Sequence, residues 1–337
     1  MQKKNVVVIG GGTGTHTVLK GLKKYQKQLD LTAVVTMADS GGSTGRLRDE
    51  FGYLPVGDVR MALAALASDI DEHEELLREL FNYRFAKGDG LSGHNFGNLL
   101  LVALTDILGS EEAAIRAAGR VLRVRGQVVP ITTEKVDLVA TYSDGVKVTG
   151  EHDIDEPDES RLQNKITNLA VTPLASISEA AETAILEADL IVLGPGDLYT
   201  SVLANCVVDG VPEALRNSAA PIIYVCNLMT KSGQTTGMGV AEHLSEISRY
   251  IGKQPDKVLV NSTNLPKDLL VKYEADNEFP VVQNLESNSC QVIEADLLAS
   301  EAVLTTKGDT LKRSLIRHDS RKLARKIMDV LGAADTL

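Results

Sequence analysis

Two glycine-rich segments each follow an apolar run with the composition of a buried strand. Gly10–Gly14 (GGGTG) follows Val6–Ile9, and Asp39–Gly45 (DSGGSTG) follows Leu31–Val35. A glycine turn between a strand and a helix presents backbone N–H groups and the positive end of the helix dipole to an anion. Parallel strands that neighbour each other end at the same edge of a sheet, where open α/β folds bind ligands. The pattern predicts a phosphate-bearing ligand, and a nucleotide fits best.

The first segment departs from the fingerprint of a dinucleotide-binding dehydrogenase. That fingerprint, G-x-G-x-x-G, would place its third glycine where this chain has Thr15. Asp39 stands where an acid would hold a ribose, but the Ser, Thr and Gly residues after it resemble a second anion-binding nest. The pattern favours an anion site, and the alternative is that the glycines only permit a tight turn.

Three further polar motifs stand at predicted strand ends or helix starts. Gly194–Ser201 (GPGDLYTS) forms a third glycine loop after an apolar run, where Asp197 either caps a helix or contacts ligand. Gly93–Asn98 (GHNFGN) places an imidazole and two carboxamides at the start of an apolar helix. The carboxamides either cap the helix and form a buried, hydrogen-bonded amide, or they belong to a ligand-binding site. Asn227 follows another apolar run, where its side chain could contact a base or a sugar.

Charged side chains accompany these loops. Arg46, Arg48 and Arg60 could neutralise phosphate. The acids that offer oxygen ligands of the kind Mg²⁺ prefers are Asp39, Asp58 and Asp197. The sequence is compatible with an Mg²⁺ that bridges phosphate, but it predicts no dedicated metal site. It contains no readable Ser-His-Asp or Cys-His constellation and no Walker motif.

Composition describes a globular protein of acidic character. The 337 residues are 43% hydrophobic and carry a net charge of −11, which disfavours nonspecific binding of nucleic acid. No apolar run approaches the roughly 18 residues of a membrane span, so no membrane insertion is expected. Val6–Ile9 is expected to be a first strand and not a signal-peptide core. The three cysteines have neither pairing nor metal-type spacing, which suits the cytoplasm.

Apolar runs alternate with amphipathic stretches, which predicts an α/β fold with a mostly parallel sheet and helices on both faces. We expect one domain over residues 1–337, with a β-rich insertion at 126–172 packed on it. Within that insertion, 128–132 is predicted as a strand and the acidic stretch 151–159 as a solvated loop. In the first half of the chain, Asp58 is predicted to cap a helix. Glu72–Phe85 is predicted to be a helix with Leu76 and Leu80 among its core residues.

Taken together, the motifs resemble the bacterial gluconeogenesis factor family, a CofD-like group related to 2-phospho-L-lactate transferase. The segments that carry the resemblance are Val8–Gly14, Ala38–Arg48, Pro55–Arg60, Gly93–Leu100, Leu193–Ser201 and Val225–Thr230. They occur in the family's order and span nearly the whole chain. The resemblance implies a Rossmann-like fold and a cytoplasmic protein, and we expect a homo-oligomer.

The resemblance also implies a function. Members of this family look like regulators that bind a UDP-sugar such as UDP-N-acetylglucosamine and maintain cell shape and wall synthesis on gluconeogenic carbon sources. Their expected partners are regulators of cell-wall synthesis, and they are not established enzymes. The alternative is a nucleotide-dependent transferase of the 2-phospho-L-lactate transferase type, which moves phospholactate onto a deazaflavin precursor.

Residue by residue, the resemblance completes the predicted site. Tyr273 and Arg317 match family positions tied to nucleotide-sugar binding, although Tyr273 could be a surface tyrosine and Arg317 could pair with Asp319. The predicted ligand-binding residues are Gly11, Gly12, Thr13, Gly14, Asp39, Gly41, Gly42, Ser43, Arg46, Asp58, His94, Asn95, Asn98, Gly194, Gly196, Asp197, Asn227, Tyr273 and Arg317.

Three positions depart from the family's pattern. Ser40 replaces a second aspartate, Asn95 replaces a serine, and Asp197 replaces the serine of the third loop. The missing acid at position 40 weighs against metal-assisted transfer, because an Mg²⁺ site prefers paired carboxylates. Ser320 stands where relatives carry a phosphorylatable threonine, which makes it a candidate for phosphorylation.

Overall fold

The computed structural model describes residues 2–286, 290–300 and 314–332. The strands are β1 (Lys4–Gly10), β2 (Leu29–Val35), β3 (Gln127–Pro130), β4 (Asp137–Tyr142), β5 (Lys147–Thr149), β6 (Ile166–Thr172), β7 (Leu190–Leu193), β8 (Ile222–Val225), β9 (Lys257–Asn261) and β10 (Gln291–Ala295). Seven of them form a parallel sheet in the order β10-β9-β8-β7-β1-β2-β3. The other three form a small antiparallel sheet in the order β5-β4-β6.

Helices connect and cover these strands. They are α1 (Gly12–Leu22), α2 (Gly42–Phe51), α3 (Gly57–Leu66), α4 (Glu72–Asn82), α5 (Phe96–Leu108), α6 (Glu111–Val121), α7 (Glu151–Asp155), α8 (Glu179–Leu186), α9 (Ala204–Cys206), α10 (Val211–Asn217), α11 (Val240–Ile251), α12 (Lys267–Ala275) and α13 (Ser320–Leu331). A π-helical turn, Leu198–Leu203, leads into α9. Within the described ranges, no helix is both long and apolar enough to cross a membrane.

The central strands are buried along their whole apolar length. Val6–Ile9 of β1 and every residue of β7 and β8 are at most 2% exposed. Such continuous apolar strands are typical of a parallel sheet covered on both faces. The α/β, Rossmann-like architecture predicted from the sequence is confirmed.

The strand order creates a crevice beside β1. The chain adds β2 and β3 on one side of β1 and later returns to place β7 on the other side. Open α/β sheets bind ligands at such a switch point, outside the carboxyl ends of the strands. The first glycine segment follows β1 and the third follows β7, so the two loops meet at this crevice.

The insertion begins later than the sequence indicated. The predicted strand at 128–132 is β3, which pairs with β2 at the edge of the main sheet, so the antiparallel sheet starts only at Asp137. Its hairpin turn is Ser143–Gly145, with the Gly145 N–H donating to the Tyr142 carbonyl. Arg48 forms an ion pair with Asp137 that ties this sheet to α2.

Several local predictions were wrong. The acidic stretch at 151–159 is a solvated loop only in part, because Glu151–Asp155 forms α7 and both Glu151 and Asp155 line the cavity. Asp58 does not cap α3, which starts one residue before it. Leu76 and Leu80 are 62% and 44% exposed. They lie beside the buried face of α4, whereas Phe81 faces the core.

Candidate functional site

A cavity of about 910 Å³ opens at the carboxyl edge of the sheet. All three glycine loops line it, and so do α7 from the insertion and the segment that precedes α13. Its size falls in the range of about 300–1,000 Å³ that is usual for small-molecule sites. Loops that are more than 100 residues apart in the sequence therefore meet at one place, as the strand-end argument predicted.

The first loop forms the first turn of α1. The Gly12 N–H donates to Asp58 Oδ1 at 2.8 Å, so an acid from α3 holds the start of α1. Gly14 lies against the third loop, where a Cβ would overlap the Pro195 carbonyl oxygen. Glycine at position 14 is thus required by the close approach of two loops that build the crevice.

The second loop starts α2 and is held by α5. The Gly41 N–H donates to Asp39 Oδ1 at 2.9 Å. Asn98 Nδ2 lies 3.3 Å from Ser43 Oγ and 3.5 Å from Thr44 Oγ1. Asn98 Oδ1 is buried and has no hydrogen-bond partner in the part of the chain that the structure describes. Asn98 therefore positions the hydroxyls of this loop and lines the cavity.

Three predicted residues lie behind the cavity wall. Asn95 caps α5, with Oδ1 accepting the Gly97 N–H at 2.9 Å, and its Nδ2 donates to the Asn82 carbonyl. His94 Nδ1 lies 3.2 Å from Ser43 Oγ. Gly194 packs at the base of the third loop. These residues support the loops and do not line the cavity.

The other predicted residues all line the cavity. They are Gly11, Gly12, Thr13, Gly14, Asp39, Gly41, Gly42, Ser43, Arg46, Asp58, Asn98, Gly196, Asp197, Asn227, Tyr273 and Arg317. Their role in binding a ligand stays a prediction. Asp197 precedes the π-helical turn but makes no capping hydrogen bond with its side chain, which removes the capping alternative for it.

Asp197 belongs to a charged cluster that joins the third loop to the insertion. Lys231 Nζ lies 3.4 Å from Asp155 Oδ2 and 4.0 Å from Asp197 Oδ2. Asp155 Oδ1 also accepts hydrogen bonds from Thr200 Oγ1 and Gln234 Nε2, each at 3.1 Å. Asp155 is therefore the residue that anchors α7 to the cavity wall.

Residues of α12 and of the segment before α13 also line the cavity. Tyr273 is only 8% exposed, and its hydroxyl oxygen accepts the N–H groups of Leu315 and Ile316 at 2.8 and 3.1 Å. The surface alternative for Tyr273 is wrong. The Arg317 Nε–H donates to the Ser314 carbonyl at 2.9 Å. Tyr273 thus fixes the segment that brings Arg317 to the cavity.

Burial and mutual repulsion raise the pKa values of several cavity carboxyls. Burial, and then the nearby Asp39, raise the pKa of Asp58 to about 7. Burial and Asp155 raise the pKa of Asp197 to about 7, against the opposing charge of Lys231. Burial also raises the pKa of Asp39 and that of Glu151. Perturbed carboxyls of this kind cluster at functional sites.

The described residues contain no group of three or more His, Cys, Asp or Glu side chains placed to hold a metal ion. Asp39 and Asp58 nevertheless face the same two glycine loops. Mg²⁺ is commonly bound by one or two carboxylates together with substrate phosphates and water. The donor set therefore fits an Mg²⁺ that arrives with a phosphorylated ligand better than a resident ion.

The sequence reasoning missed several cavity residues. Among them are Arg84, Glu151, His152, Asp155, Lys231, Glu278 and His318. Arg60, which the sequence indicated as able to neutralise phosphate, also lines the cavity. The insertion residues carried no signal, because an acidic stretch is usually solvent-exposed. The motif around Asn227 was noted, and Lys231 lies only four residues beyond it.

The fold and the lining residues define an α/β protein with a cavity at the switch point of its sheet, and comparisons with known proteins identify its family. The family model described as 2-phospho-L-lactate transferase CofD matches residues 6–298, and the chain belongs to this family. A Nostoc protein provisionally named a gluconeogenesis factor is 44% identical over 98% of this chain and 69% of its own length.

Two further comparisons extend the match. The gluconeogenesis factor of Bacillus subtilis is 39% identical over 98% of this chain and 99% of its own length. The crystal structure of a UPF0052 family protein from Bacillus halodurans superposes with a TM-score of 0.87 at 37% identity. The superposition covers 97% of this chain and 99% of the Bacillus halodurans chain. The similarity thus extends over nearly the whole chain, the insertion included.

Proposed function

We propose that this chain binds a nucleoside-diphosphate sugar of the UDP-N-acetylglucosamine type and acts as a regulator of cell shape and wall synthesis. The observation that carries the proposal is the meeting of three glycine loops at one cavity. A nucleotide sugar has a dense anionic centre and two uncharged ends. The cavity offers groups suited to both, because helix starts and polar side chains line it together.

The helix starts suit the diphosphate. The Asp58 carboxyl accepts a hydrogen bond from the Gly12 N–H, and the Asp39 carboxyl accepts one from the Gly41 N–H. Later N–H groups of the first turns of α1 and α2 have no intrahelical carbonyl to bind, because the first four of any α-helix lack one. Phosphate oxygens are good acceptors for such groups, and both helix dipoles favour them.

The carboxyls oppose an anionic ligand unless their charge is offset. Protonation of Asp58 and Asp197 offsets part of it near neutral pH. Lining cations offset more, and they include Arg46, Arg84, Lys231 and Arg317. We expect Mg²⁺ to supply the remainder by joining phosphate oxygens to one or both of Asp39 and Asp58. Binding should therefore tighten when Mg²⁺ is present.

Calorimetric titration tests the proposal. The intact chain is titrated with UDP-N-acetylglucosamine, UDP and GDP, with and without Mg²⁺. We expect saturable binding that is tightest for the UDP-sugar. Thr13→Glu places a carboxylate at the start of α1 and should weaken binding at least about tenfold by charge repulsion. Thr149→Glu adds the same charge at an exposed position of the insertion and should have no effect.

The same preparation distinguishes the alternative function. A transferase would bind a nucleotide-activated phospholactate and transfer phospholactate to a deazaflavin acceptor. Turnover in that assay, together with preference for the guanosine nucleotide, would favour the alternative. Absence of saturable binding to every nucleotide tested would overturn the proposed function.

A further inference from the structure

A second cavity, of about 430 Å³, lies beside β3, the edge strand of the main sheet. Residues of α6, β3 and α8 line it, and it shares no lining residue with the first cavity. Its size falls within the range of about 300–1,000 Å³ that is usual for ligand sites. The proposed function makes no use of this second cavity.

The backbone edge of β3 is open at Val128. The Ile131 N–H donates to the Val35 carbonyl of β2 at 2.9 Å. Backbone groups of successive residues in a strand point in alternate directions, so those of Pro130 and Val128 point away from β2. The Ser178 hydroxyl donates to the Pro130 carbonyl at 2.7 Å and covers that end of the strand. No described residue pairs with the N–H or the C=O of Val128, which is 8% exposed and lines the cavity.

Arginine side chains of α6 supply positive charge to this cavity. Arg116 and Arg120 are four residues apart, which places them on one side of the helix, and both line the cavity. Neither guanidinium forms a hydrogen bond or an ion pair within the part of the chain that the structure describes. Arg123 also lines the cavity, but its Nη1 lies 3.0 Å from Glu74 Oε1. The acid in the lining is Glu112, so cations exceed acids there although the whole chain carries a net charge of −11.

Much of the remaining lining is apolar. It includes Ile115, Val124, Val129 and Ala180. A small inorganic anion would leave this apolar surface and the open edge at Val128 without partners. An extended peptide can satisfy all three features through its main chain, its acidic side chains and its apolar side chains. Peptides that add a strand to an open sheet edge gain affinity from main-chain hydrogen bonds and specificity from side-chain contacts.

We propose that this cavity binds an extended acidic segment of a partner protein, which adds to the main sheet as a strand beside β3. Main-chain groups of the segment would hydrogen-bond the N–H and the C=O of Val128. Side chains two positions apart in a strand point to the same face, so two such acids of the segment can reach Arg116 and Arg120 together. Charge-assisted hydrogen bonds to these guanidiniums would select an acidic segment.

Titration of the intact chain with synthetic peptides tests the charge of the ligand. The probe is an acetylated and amidated pentapeptide of sequence VEVEV, and its matched control is VQVQV, which has the same shape without the charge. We expect VEVEV to bind with a Kd of about 1 mM or tighter, and VQVQV and free glutamate to bind at least about tenfold more weakly. No saturable binding of VEVEV would overturn the inference. So would equal affinity for VQVQV or for glutamate, because the site would then require no acid or no peptide.

Amide NMR tests whether the edge of β3 takes part. In the free chain the Val128 N–H should exchange with solvent faster than the Val129 N–H, because only the latter points toward β2. Saturation with VEVEV should shift the Val128 amide signal and slow its exchange at least about tenfold, while the Val129 amide changes little. A Val128 amide whose exchange the bound peptide leaves unchanged would show that no strand is added and would overturn the inference.

Substitution of the arginines gives an independent readout. Arg116→Glu and Arg120→Glu should each weaken VEVEV binding about tenfold. Arg325→Glu reverses an exposed arginine of α13 outside this cavity and should leave the affinity unchanged. Unchanged affinity in both α6 variants would contradict the inference, and if a variant does not fold, the two experiments on wild type decide. Sedimentation tests the other occupant of this edge, since an oligomer that Arg120→Glu dissociates would assign the edge to a second copy of this chain and overturn the inference.

Discussion

Asp58 Oδ1 accepts the backbone N–H of Gly12 at 2.8 Å, and this bond fixes the start of α1 against α3. The carboxyl that makes it is buried beside Asp39, which raises its pKa to about 7. The same side chain therefore supports the first glycine loop and carries an unfavourable charge above neutral pH.

Asp58→Asn should stabilise the unliganded protein at pH 8. Asparagine can still accept the Gly12 N–H, but it cannot ionise. A folded-state pKa raised from 3.8 to about 7 means that the wild type loses stability as pH rises from about 4 to 7. Asp58→Asn does not lose this stability. Its free energy of unfolding should therefore exceed that of wild type by an amount that grows from about pH 4 to 7 and reaches roughly 1–4 kcal/mol.

Urea unfolding of both proteins at pH 4, 6 and 8 measures the gain. Asp49→Asn, which changes an exposed carboxylate, is the control and should leave stability within about 0.5 kcal/mol of wild type. A gain for Asp58→Asn that is independent of pH would show that ionisation of Asp58 is not its cause.

Gly14→Ala should destabilise the fold because the new methyl group would overlap the Pro195 carbonyl oxygen. Overpacking of this kind costs about 1–3 kcal/mol, and it should also separate the first and third loops and weaken nucleotide binding. Gly90→Ala, where no atom lies within 4 Å of the added methyl group, is the matched control. Thermal melting and calorimetry measure the two effects. A Gly14→Ala protein as stable as the control would refute the close packing of these loops.

Asn95 and Asn98 are three residues apart and should give opposite results. Asn95→Ala removes the cap of α5 and should cost about 0.5–2 kcal/mol of stability. It should have little effect on affinity. Asn98→Leu removes the polar contacts to Ser43 and Thr44 at the cavity and should weaken nucleotide binding. Denaturant unfolding and calorimetry on both variants test this separation, and unchanged affinity in Asn98→Leu would make its role purely structural.

Arg317→Ala should weaken binding of UDP-N-acetylglucosamine about ten- to a hundredfold, because a charge-assisted hydrogen bond is worth roughly 1.5–3 kcal/mol. The melting temperature without ligand should change little, since Tyr273 holds the neighbouring Leu315 and Ile316. Arg317→Lys should restore part of the affinity, because an ammonium group lacks the planar fork of a guanidinium. Calorimetry at fixed salt measures the affinities of wild type, Arg317→Ala and Arg317→Lys. Equal affinities of wild type and Arg317→Ala would show that Arg317 does not bind the ligand.

The strands and their loops were predictable because their signal is local. Continuous apolar runs predicted β1, β2, β7 and β8, and each glycine loop follows such a run. The strand-end rule then predicted that the loops meet.

The remaining errors concern contacts between distant segments. Nothing near Asp58 in the sequence indicates that its partner is Gly12. Asp155 stands in an acidic stretch that the sequence predicts to be solvent-exposed, so its contacts with Lys231, Thr200 and Gln234 could not be predicted. Pairing of β3 with β2 likewise depends on the sheet and not on the local sequence. Such features require the fold before they can be assigned.

A crystal structure with UDP-N-acetylglucosamine and Mg²⁺ tests the central claim most directly. We predict the diphosphate at the starts of α1 and α2, with its oxygens about 3 Å from backbone nitrogens of Thr13, Gly14, Ser43 or Thr44. The uncharged parts should lie within the same cavity, among the polar side chains that line it. A ligand bound elsewhere, or a diphosphate that contacts neither glycine loop, would contradict the assignment of this cavity.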